Sequence, residues 1–523
     1  MRENADNSRT KNSIVNIFTG IGGQICSIIL KFVVRTVFIH ALGKSYLGVN
    51  GLFSNILTLL SLTELGFDTA INFKLYKPLA DGDDKRVRML MKFYKQAYRA
   101  VGSVILVLGL CLIPLLPFLI KDYDSMAVLG INAVLIFMLH IGRTVCSYWF
   151  FAYRAAILKA NQKKHILDIV EFFTNLATSG VKILVLVVYR DFVLYTATVI
   201  FFNIVQNFVN AYIVKRKYPQ FFEKEEEKLS RKEVIDMIKD CGALFVYKVN
   251  NVVVKATDNI VISAFIGLGY VGLYSNYALF YTTARTLFDK VYAAVKASMG
   301  NLFATESVEK QYRFFQIMNF ISVVLFGTAC CEVAVCADEL IDVWVGSDYI
   351  VGGMFALLIG IEIFFHGLRI NLGQIRNVSG VFQQMWFRPV LGIFINLGVS
   401  IGLVQICGLH GVIIGTIVSD VTTNFLIDPK VIHKYSFHDY KPVSEYYITN
   451  LGYILVLAVI TAFNMWISKL FFVGNGWASV ITHGIIVAIT VPTAFIAIYW
   501  KSQECQYLVA QSKNIIKKVK SRK

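Results

Sequence analysis

Charge is what this chain has least of. Only 16% of its 523 residues are Asp, Glu, Lys or Arg, whereas a soluble domain of that size needs roughly a quarter to cover its surface. That shortage argues against a soluble globular protein. Acidic residues are the scarcer kind: 34 Asp and Glu stand against 51 Lys and Arg, for a formal net charge of +17. A basic excess suits nucleic acid, but here the cations sit in short segments between long apolar runs, as in a membrane chain oriented by its positive loops. No nucleic-acid partner is expected. The nine cysteines form no CxxC or Cys/His ligand set, and most lie within apolar segments as small hydrophobes. His140, His165, His366 and His410 are dispersed along the chain, so no metal centre or other cofactor is expected. The glycine-rich phosphate loop of an ATP-driven pump is also missing from the sequence.

What the chain has in abundance is apolar length. It is 56% hydrophobic with a mean hydropathy of +0.59. A helix rises 1.5 Å per residue, so about 20 apolar residues cross the hydrocarbon. Fourteen segments meet that standard: 14–43, 47–75, 97–120, 127–150, 166–189, 192–213, 240–267, 271–295, 314–336, 349–371, 381–406, 409–429, 446–468 and 476–500. The polar start "MRENADNSRTKNS" precedes an apolar run without a small-residue cleavage site, which predicts a retained first span and no removed signal peptide. An even count puts both termini on one side. With the amino end inside, the outer loops hold only four cations, Lys44, Lys121, Arg190 and Lys469. Both termini are therefore expected to be cytoplasmic. The acidic stretch "CEVAVCADELIDVWVGSD", residues 331–348, is read as an outer loop, and the basic tail "KNIIKKVKSRK" as an inner one that meets anionic lipid.

A local repeat divides the spans. "LGKSYLGVNGLFSN" at 42–55 and "IGLGYVGLYSN" at 266–276 align at an offset of 224, which matches Gly43 with Gly267, Tyr46 with Tyr270 and Gly48 with Gly272. Six spans separate the copies, so both run the same way through the membrane. This predicts an all-α polytopic membrane protein of 14 transmembrane helices, with two parallel-repeat six-helix lobes and two further helices. The expected parts are an N-lobe (1–213), a charged cytoplasmic linker (214–239), a C-lobe (240–430), spans thirteen and fourteen (431–500) and a basic tail (501–523).

Cations inside apolar spans need a reason, because a charge near the bilayer centre is kept only where it faces a bundle interior or a polar cavity. Lys31 and Arg35 are spaced i,i+4 on one face of the first span, and Lys248 and Lys255 share a face of the seventh. The offset of 224 sets Lys31 on Lys255 and Gln24 on Lys248, so the corresponding helices would be polar at matching heights. Arg143, Lys182, Arg285, Lys290 and Arg369 add further cations, while Glu64, Asp68 and Asp258 are candidate charge partners or ion-coupling acids. A cleft of this kind favours an anion, which guanidinium groups grip bidentately when it is a phosphate. The predicted binding set is Lys31, Arg35, Lys248, Lys255, Arg143, Arg285, Arg369 and Gln24, with Asn250 and Asn251 available to sugars.

The stretch "YLGVNGLFSNILTLLSLTELGFDTAINFKLYKPLA", with its "ELG" at Glu64–Gly66 and the "LYKPLA" that ends the span, resembles the polysaccharide-type flippases of the multidrug, oligosaccharidyl-lipid and polysaccharide exporter superfamily. The 6+6+2 arrangement is similar to the same group, and the likeness runs over most of residues 10–500. The resemblance implies a multi-pass protein of a bacterial cell membrane, not an enzyme. It implies transport of an undecaprenyl-pyrophosphate-linked oligosaccharide to the outer leaflet by alternating access, with membrane lipid and polysaccharide-synthesis machinery as partners. Basic residues of the first helix are expected in its central cavity, where Lys31 and Arg35 stand in this chain. A coupling proton or sodium ion, charge pairing in the outward state and the membrane potential all remain open as energy sources. A drug or metabolite exporter of the same superfamily, or a multispanning glycan ligase or transferase, are the rival readings.

Overall fold

A computed structural model describes residues 26–61, 67–235, 256–470 and 476–510, apart from 122, 129, 162, 224–226, 228, 382 and 386, together with positions 237 and 253. The described residues form helices and turns without a strand. The chain divides into two compact units, Met1–Gly272 and Leu273–Lys523.

The first unit contains α1 (26–42), α2 (Lys44–Leu60), α3 (Phe67–Asp81), α4 (Asp84–Leu112), α5 (Leu116–Leu119), α6 (Tyr123–Val128), α7 (Ala133–Trp149), α8 (Ala155–Ala160), α9 (Lys164–Val188), α10 (Phe192–Lys217) and α11 (256–265). Side-chain caps fix several starts. Asp83 accepts from the Arg86 amide at 2.8 Å, Asn132 from Leu135 at 3.0 Å and Asp191 from Leu194 at 2.8 Å, each satisfying an amide that the helix leaves without a partner. The α7 path bends by 43° into α8, at Phe151, whose φ of 58° is left-handed. A core of Leu75, Tyr94, Tyr98, Tyr148, Ile157 and Val214 packs these helices together.

The second unit contains the rest of α12 (Leu268–Thr305), then α13 (Val308–Val345), α14 (Phe355–Ser379), α15 (Phe387–Cys407), α16 (Leu409–Asp420), α17 (Asp428–Tyr435), α18 (Val443–Leu470) and α19 (Trp477–Ile498). The last two helices, expected as an appendix, share the unit's core: Tyr446, Tyr453, Val487 and Phe495 pack with Phe315, Phe320 and Val323 of α13. Buried polar contacts reinforce them, Asn319 to Asn450 at 3.0 Å and His483 to Glu339 at 2.9 Å.

Among the described residues nine helices are long and apolar enough to span a membrane, or ten if the bent α7–α8 pair is one span. Their outward faces are apolar, as Phe201, Tyr212, Ile448, Leu455 and Val459 show by standing exposed. Water would not leave such faces bare, so the chain is a multi-pass membrane protein. The predicted spans three to six, and nine to fourteen, fall on these helices. Predicted spans one and seven lie partly outside the described residues, and span two is interrupted at 62–66, which also lie outside them. Predicted span eight lies on α12, whose 38 residues are rich in Tyr, Thr, Ser and Asn and so fall short in hydropathy. One expectation needs correction. Residues 331–345 are the last turns of α13 and not an outer loop, because their acids find partners: Asp338 accepts from the Tyr277 hydroxyl and Glu339 pairs with His483.

The repeat has a structural counterpart. Gly43 and Gly267 both take positive φ, 84° and 130°, immediately before α2 and α12, and both conformations suit glycine alone. One turn further on, a Cβ on Gly48 would collide with the Leu268 carbonyl oxygen, and a Cβ on Gly272 would collide with that of Lys44. Leu268 is Lys44 shifted by 224, so the two contacts are one contact seen from each copy.

The charged stretch around 223–233 is fastened to α4 within the first unit. Glu223, Glu227 and Glu233 pair with Arg88, Lys85 and Arg86 at the start of α4. Ser230 and Glu233 cap each other across a short helix at 231–235, with Ser230 N to Glu233 Oε2 at 2.9 Å and Glu233 N to Ser230 Oγ at 3.3 Å. The Arg86 guanidinium, then the Ser230 hydroxyl and amide, hold the Glu233 carboxyl down at about 2.

Two predictions follow from these contacts. Gly48→Ala and Gly272→Ala should each cost about 1–3 kcal/mol through backbone overpacking, read as a lower melting temperature in detergent. Gly51→Ala, where a Cβ would meet only a Val271 methyl at 3.6 Å, should melt at or above wild type, and equal melting of Gly48→Ala and Gly51→Ala would contradict the contact. Because the Glu233 value lies below its unfolded one, its stabilisation is present above about 4.5 and lost as pH falls towards about 2. Pepsin cleavage within 214–239 should therefore rise between about pH 4 and pH 2 in wild type, and should already be high at about pH 4 in Glu233→Gln.

Candidate functional site

In the first unit, cations from three helices gather around one phenol. Tyr195 of α10 is buried and packs edge-on against Phe38 of α1 at 5.0 Å between ring centroids. Arg35 of α1 and Arg143 of α7 both act electrostatically on it, and the Lys182 ammonium of α9 lies 5.0 Å from the Tyr195 ring centroid. Arg143 also acts electrostatically on Lys182. Among the described residues neither Arg143 nor Lys182 pairs with a carboxylate, although like charges this close are costly in a medium of low dielectric.

Arg143 also reaches a cavity of about 250 Å³ lined by Ser54, Thr58, Ser61, His140, Ser147 and Asn203 among others. The α7 sequence places His140, Arg143, Thr144 and Ser147 at helical spacings that form one polar stripe. Thr144 donates to the His140 carbonyl at 3.1 Å, and Ser147 to the Thr144 carbonyl at 2.6 Å, so both hydroxyls are oriented by their own helix. His140 is 1% exposed and its Nε2 has no hydrogen-bond partner. The described lining residues supply a cation, hydroxyls and an amide, which suit an anionic, hydroxyl-rich group.

The second unit treats its cations in the opposite way. Arg369 Nη1 lies 3.2 Å from Asp420 Oδ1, and Arg285 Nε lies 3.5 Å from Asp289 Oδ2. Arg388 Nε meets Asp428 Oδ1 at 3.1 Å in a pair that is almost wholly buried. These charges largely cancel within the unit.

The predicted site residues thus separate. Arg35 and Arg143 come together, joined by Lys182, which stood outside the predicted binding set. Lys31 lies one turn before Arg35 on an exposed part of α1. Arg285 and Arg369 belong to the second unit and are held by acids. Gln24, Lys248, Lys255, Asn250, Asn251 and Glu64 lie outside the described residues; Asp68 is on α3, and its side chain also lies outside them. Asp258 is buried in α11. The sequence reading missed Tyr195 and set His140 aside as a packing residue; the polar stripe from 140 to 147 was the available signal.

Comparison with known proteins adds the following. A family profile described as "Polysaccharide biosynthesis protein" matches residues 141–351, less than half of the chain. No curated protein matches by sequence. Among solved structures, an inward-facing multidrug resistance MATE transporter of the MOP superfamily is similar with a TM-score of 0.59 at 13% identity, covering 79% of this chain and 96% of its own. The lipid II flippase MurJ in an inward closed conformation gives a TM-score of 0.58 at 15% identity, over 93% of this chain and 99% of the flippase. A MATE transporter of Vibrio cholerae gives 0.53 at 13% identity, over 82% and 99%.

The contrast between the units has a measurable consequence. Arg388→Ala removes the hydrogen-bonded partner of the buried Asp428 and should cost about 3–5 kcal/mol. Among the described residues Arg143→Gln strands no carboxylate, and it should leave the melting temperature near that of wild type. Equal losses in the two variants would contradict the charge assignments.

Proposed function

We propose, from the premise that this chain has the fold of the MOP superfamily, that it flips an undecaprenyl-pyrophosphate-linked oligosaccharide across a bacterial cell membrane for surface polysaccharide synthesis. In this reading the 14 helices form an N-lobe (1–213) and a C-lobe (240–430) that alternate in access, with 214–239 as their linker and 431–500 as the final pair. The carrying observation is the gathering of Arg35, Arg143 and Lys182 around Tyr195. Two guanidiniums suit a pyrophosphate, which they can grip bidentately, and Lys182 supplies a mobile third charge. The neighbouring hydroxyls and Asn203 suit a sugar. Lys31, one turn from Arg35, extends the cationic face, and Lys248 and Lys255 are its expected counterparts in the other copy.

The polysaccharide-biosynthesis profile and the fold shared with a lipid II flippase support this substrate class. The fold shared with multidrug transporters keeps a drug or metabolite exporter as the rival. A cationic drug would call for an acidic site, and the groups gathered at Tyr195 are cations. An inside-negative potential favours outward movement of an anionic headgroup by about 2.3 kcal/mol per charge per 100 mV.

The test is binding and flipping of a fluorescent undecaprenyl-pyrophosphate disaccharide by the reconstituted full chain. Arg35→Ala and Arg143→Ala should each weaken headgroup binding by about ten- to a hundredfold, the weight of a charge-assisted hydrogen bond. Lys31→Ala should have a smaller effect. Undiminished binding in all three variants would sink the assignment.

A further inference from the structure

The start of α18 packs against the end of α19, where Tyr453 and Tyr499 set their ring centroids 4.9 Å apart, and there the second unit keeps two carboxylates beside a small polar cavity. Glu445 stands in the first turn of α18. Glu504 stands just beyond α19, in a helix at 503–510 whose start Ser502 caps by accepting from the Cys505 amide at 3.2 Å. Cys505 is buried in the unit's core and Leu508 packs against it, which holds that helix in place. The cavity, of about 40 Å³, is lined by Tyr312, Gln316 and Asn319 of α13, by Glu445 and Tyr453 of α18, and by Glu504, among others. Both carboxylates act electrostatically on Tyr312, and Glu504 acts on Tyr453 as well.

One acceptor on the cavity wall lacks a donor. Asn450 spends its Nδ2 on the Tyr446 carbonyl at 2.8 Å, so its Oδ1 is the atom that accepts from Asn319 Nδ2 at 3.0 Å. That contact fixes the Asn319 amide and leaves its oxygen over. Asn319 is only 5% exposed, and its Oδ1 has no hydrogen-bond partner, which is costly for a buried group until a donor arrives. The carboxylates are less than fully engaged. Glu445 accepts from Gln316 Nε2 at 3.3 Å and meets the half-exposed Lys441 ammonium at 3.6 Å. Among the described residues no cation pairs with Glu504.

Acceptors in want of donors, aromatic side chains in the walls and room for a group of about water size describe one kind of guest. A hard metal ion seeks about six oxygens. A primary ammonium needs about three acceptors, and it is also attracted to aromatic rings. We infer that this cavity binds a primary ammonium group, and that the group is the amine of an ethanolamine-type lipid headgroup. Its N–H donors go to Glu504, Glu445 and Asn319 Oδ1, with Tyr312 and Tyr453 beside it. The depth suits a headgroup, because the ends of two spans meet here and tyrosines gather at that level of a membrane. The trimethylammonium of choline has no N–H to donate and carries methyl groups where the ammonium has hydrogens, so both chemistry and size exclude it. Bound there, the amine joins α13 to α18 and to the helix at 503–510, and the site stands independently of the flippase reading.

Competition between two lipids tests the site. Full-length protein in detergent is incubated with equimolar phosphatidylethanolamine and phosphatidylcholine of the same acyl chains, and the retained lipid is counted by native mass spectrometry. Wild type should prefer phosphatidylethanolamine by about tenfold or more, the weight of a charge-assisted hydrogen bond. Glu504→Gln should lose most of that preference, whereas Lys441→Gln, which removes the ammonium competing for Glu445, should increase it. A loss in one variant and a gain in the other cannot both come from misfolding. Displacement of the lipid by millimolar ethanolamine supports the ammonium chemistry and makes a soluble amine its source, while retention assigns it to the lipid. Equal retention of the two lipids by wild type, or the same preference in wild type and Glu504→Gln, overturns the site and leaves the cavity to water. Displacement by magnesium or calcium chloride and not by ethanolamine overturns it in favour of a metal ion.

Discussion

Two helices meet backbone to backbone where Gly48 faces Leu268 and Gly272 faces Lys44, and that close approach constrains much of the amino-terminal architecture. Without a hydrophobic effect between helices in lipid, association depends on packing and on small residues that let backbones touch. Here the small residues occur at equivalent places of a repeat, each preceded by a glycine of positive φ that turns the chain into its helix. A contact that reads the same from both copies is self-complementary, so a substitution on either side damages both. The same device recurs within the second unit, where a Cβ on Gly360 would press on the Cys330 carbonyl at 2.6 Å and so ties α14 closely to α13.

Charge placement then sets the two units apart. Among the described residues of the first unit, Arg143 and Lys182 have no carboxylate partner, and hydroxyl residues line the cavity that Arg143 reaches. The second pairs Arg285, Arg369 and Arg388 with acids at 3.1–3.5 Å. Unmatched cations in a low-dielectric interior are destabilising unless something anionic arrives, whereas matched ones are neutralised where they stand. A protein that must capture a headgroup and release it can use both kinds.

Much of this was legible in the sequence, for stated physical reasons. Hydropathy located α9, α10, α15, α18 and α19, because each presents an apolar face to lipid, and α14, which is apolar but mostly buried within its unit. The offset of 224 located the glycine contact, because a backbone collision tolerates no other residue type. Arg35 and Arg143 were legible as intramembrane cations. What pairs with a cation was not: Asp289 lies four residues from Arg285, but Asp420 is 51 residues from Arg369 and His483 is 144 from Glu339. Those distant partners are why the acids of 331–345 read as a solvated loop when they belong to α13. Tyr195 was missed because a tyrosine in an apolar span looks like core, and only its position among three cations distinguishes it.

The central claim is that the chain recognises an anionic lipid-linked glycan. The most direct measurement is transport of two probes by the same proteoliposomes, a fluorescent undecaprenyl-pyrophosphate disaccharide and a lipophilic cationic dye. The account predicts flipping of the pyrophosphate lipid that excess unlabelled pyrophosphate lipid suppresses and the dye does not. Export of the dye, with the pyrophosphate lipid left in its original leaflet, would contradict it.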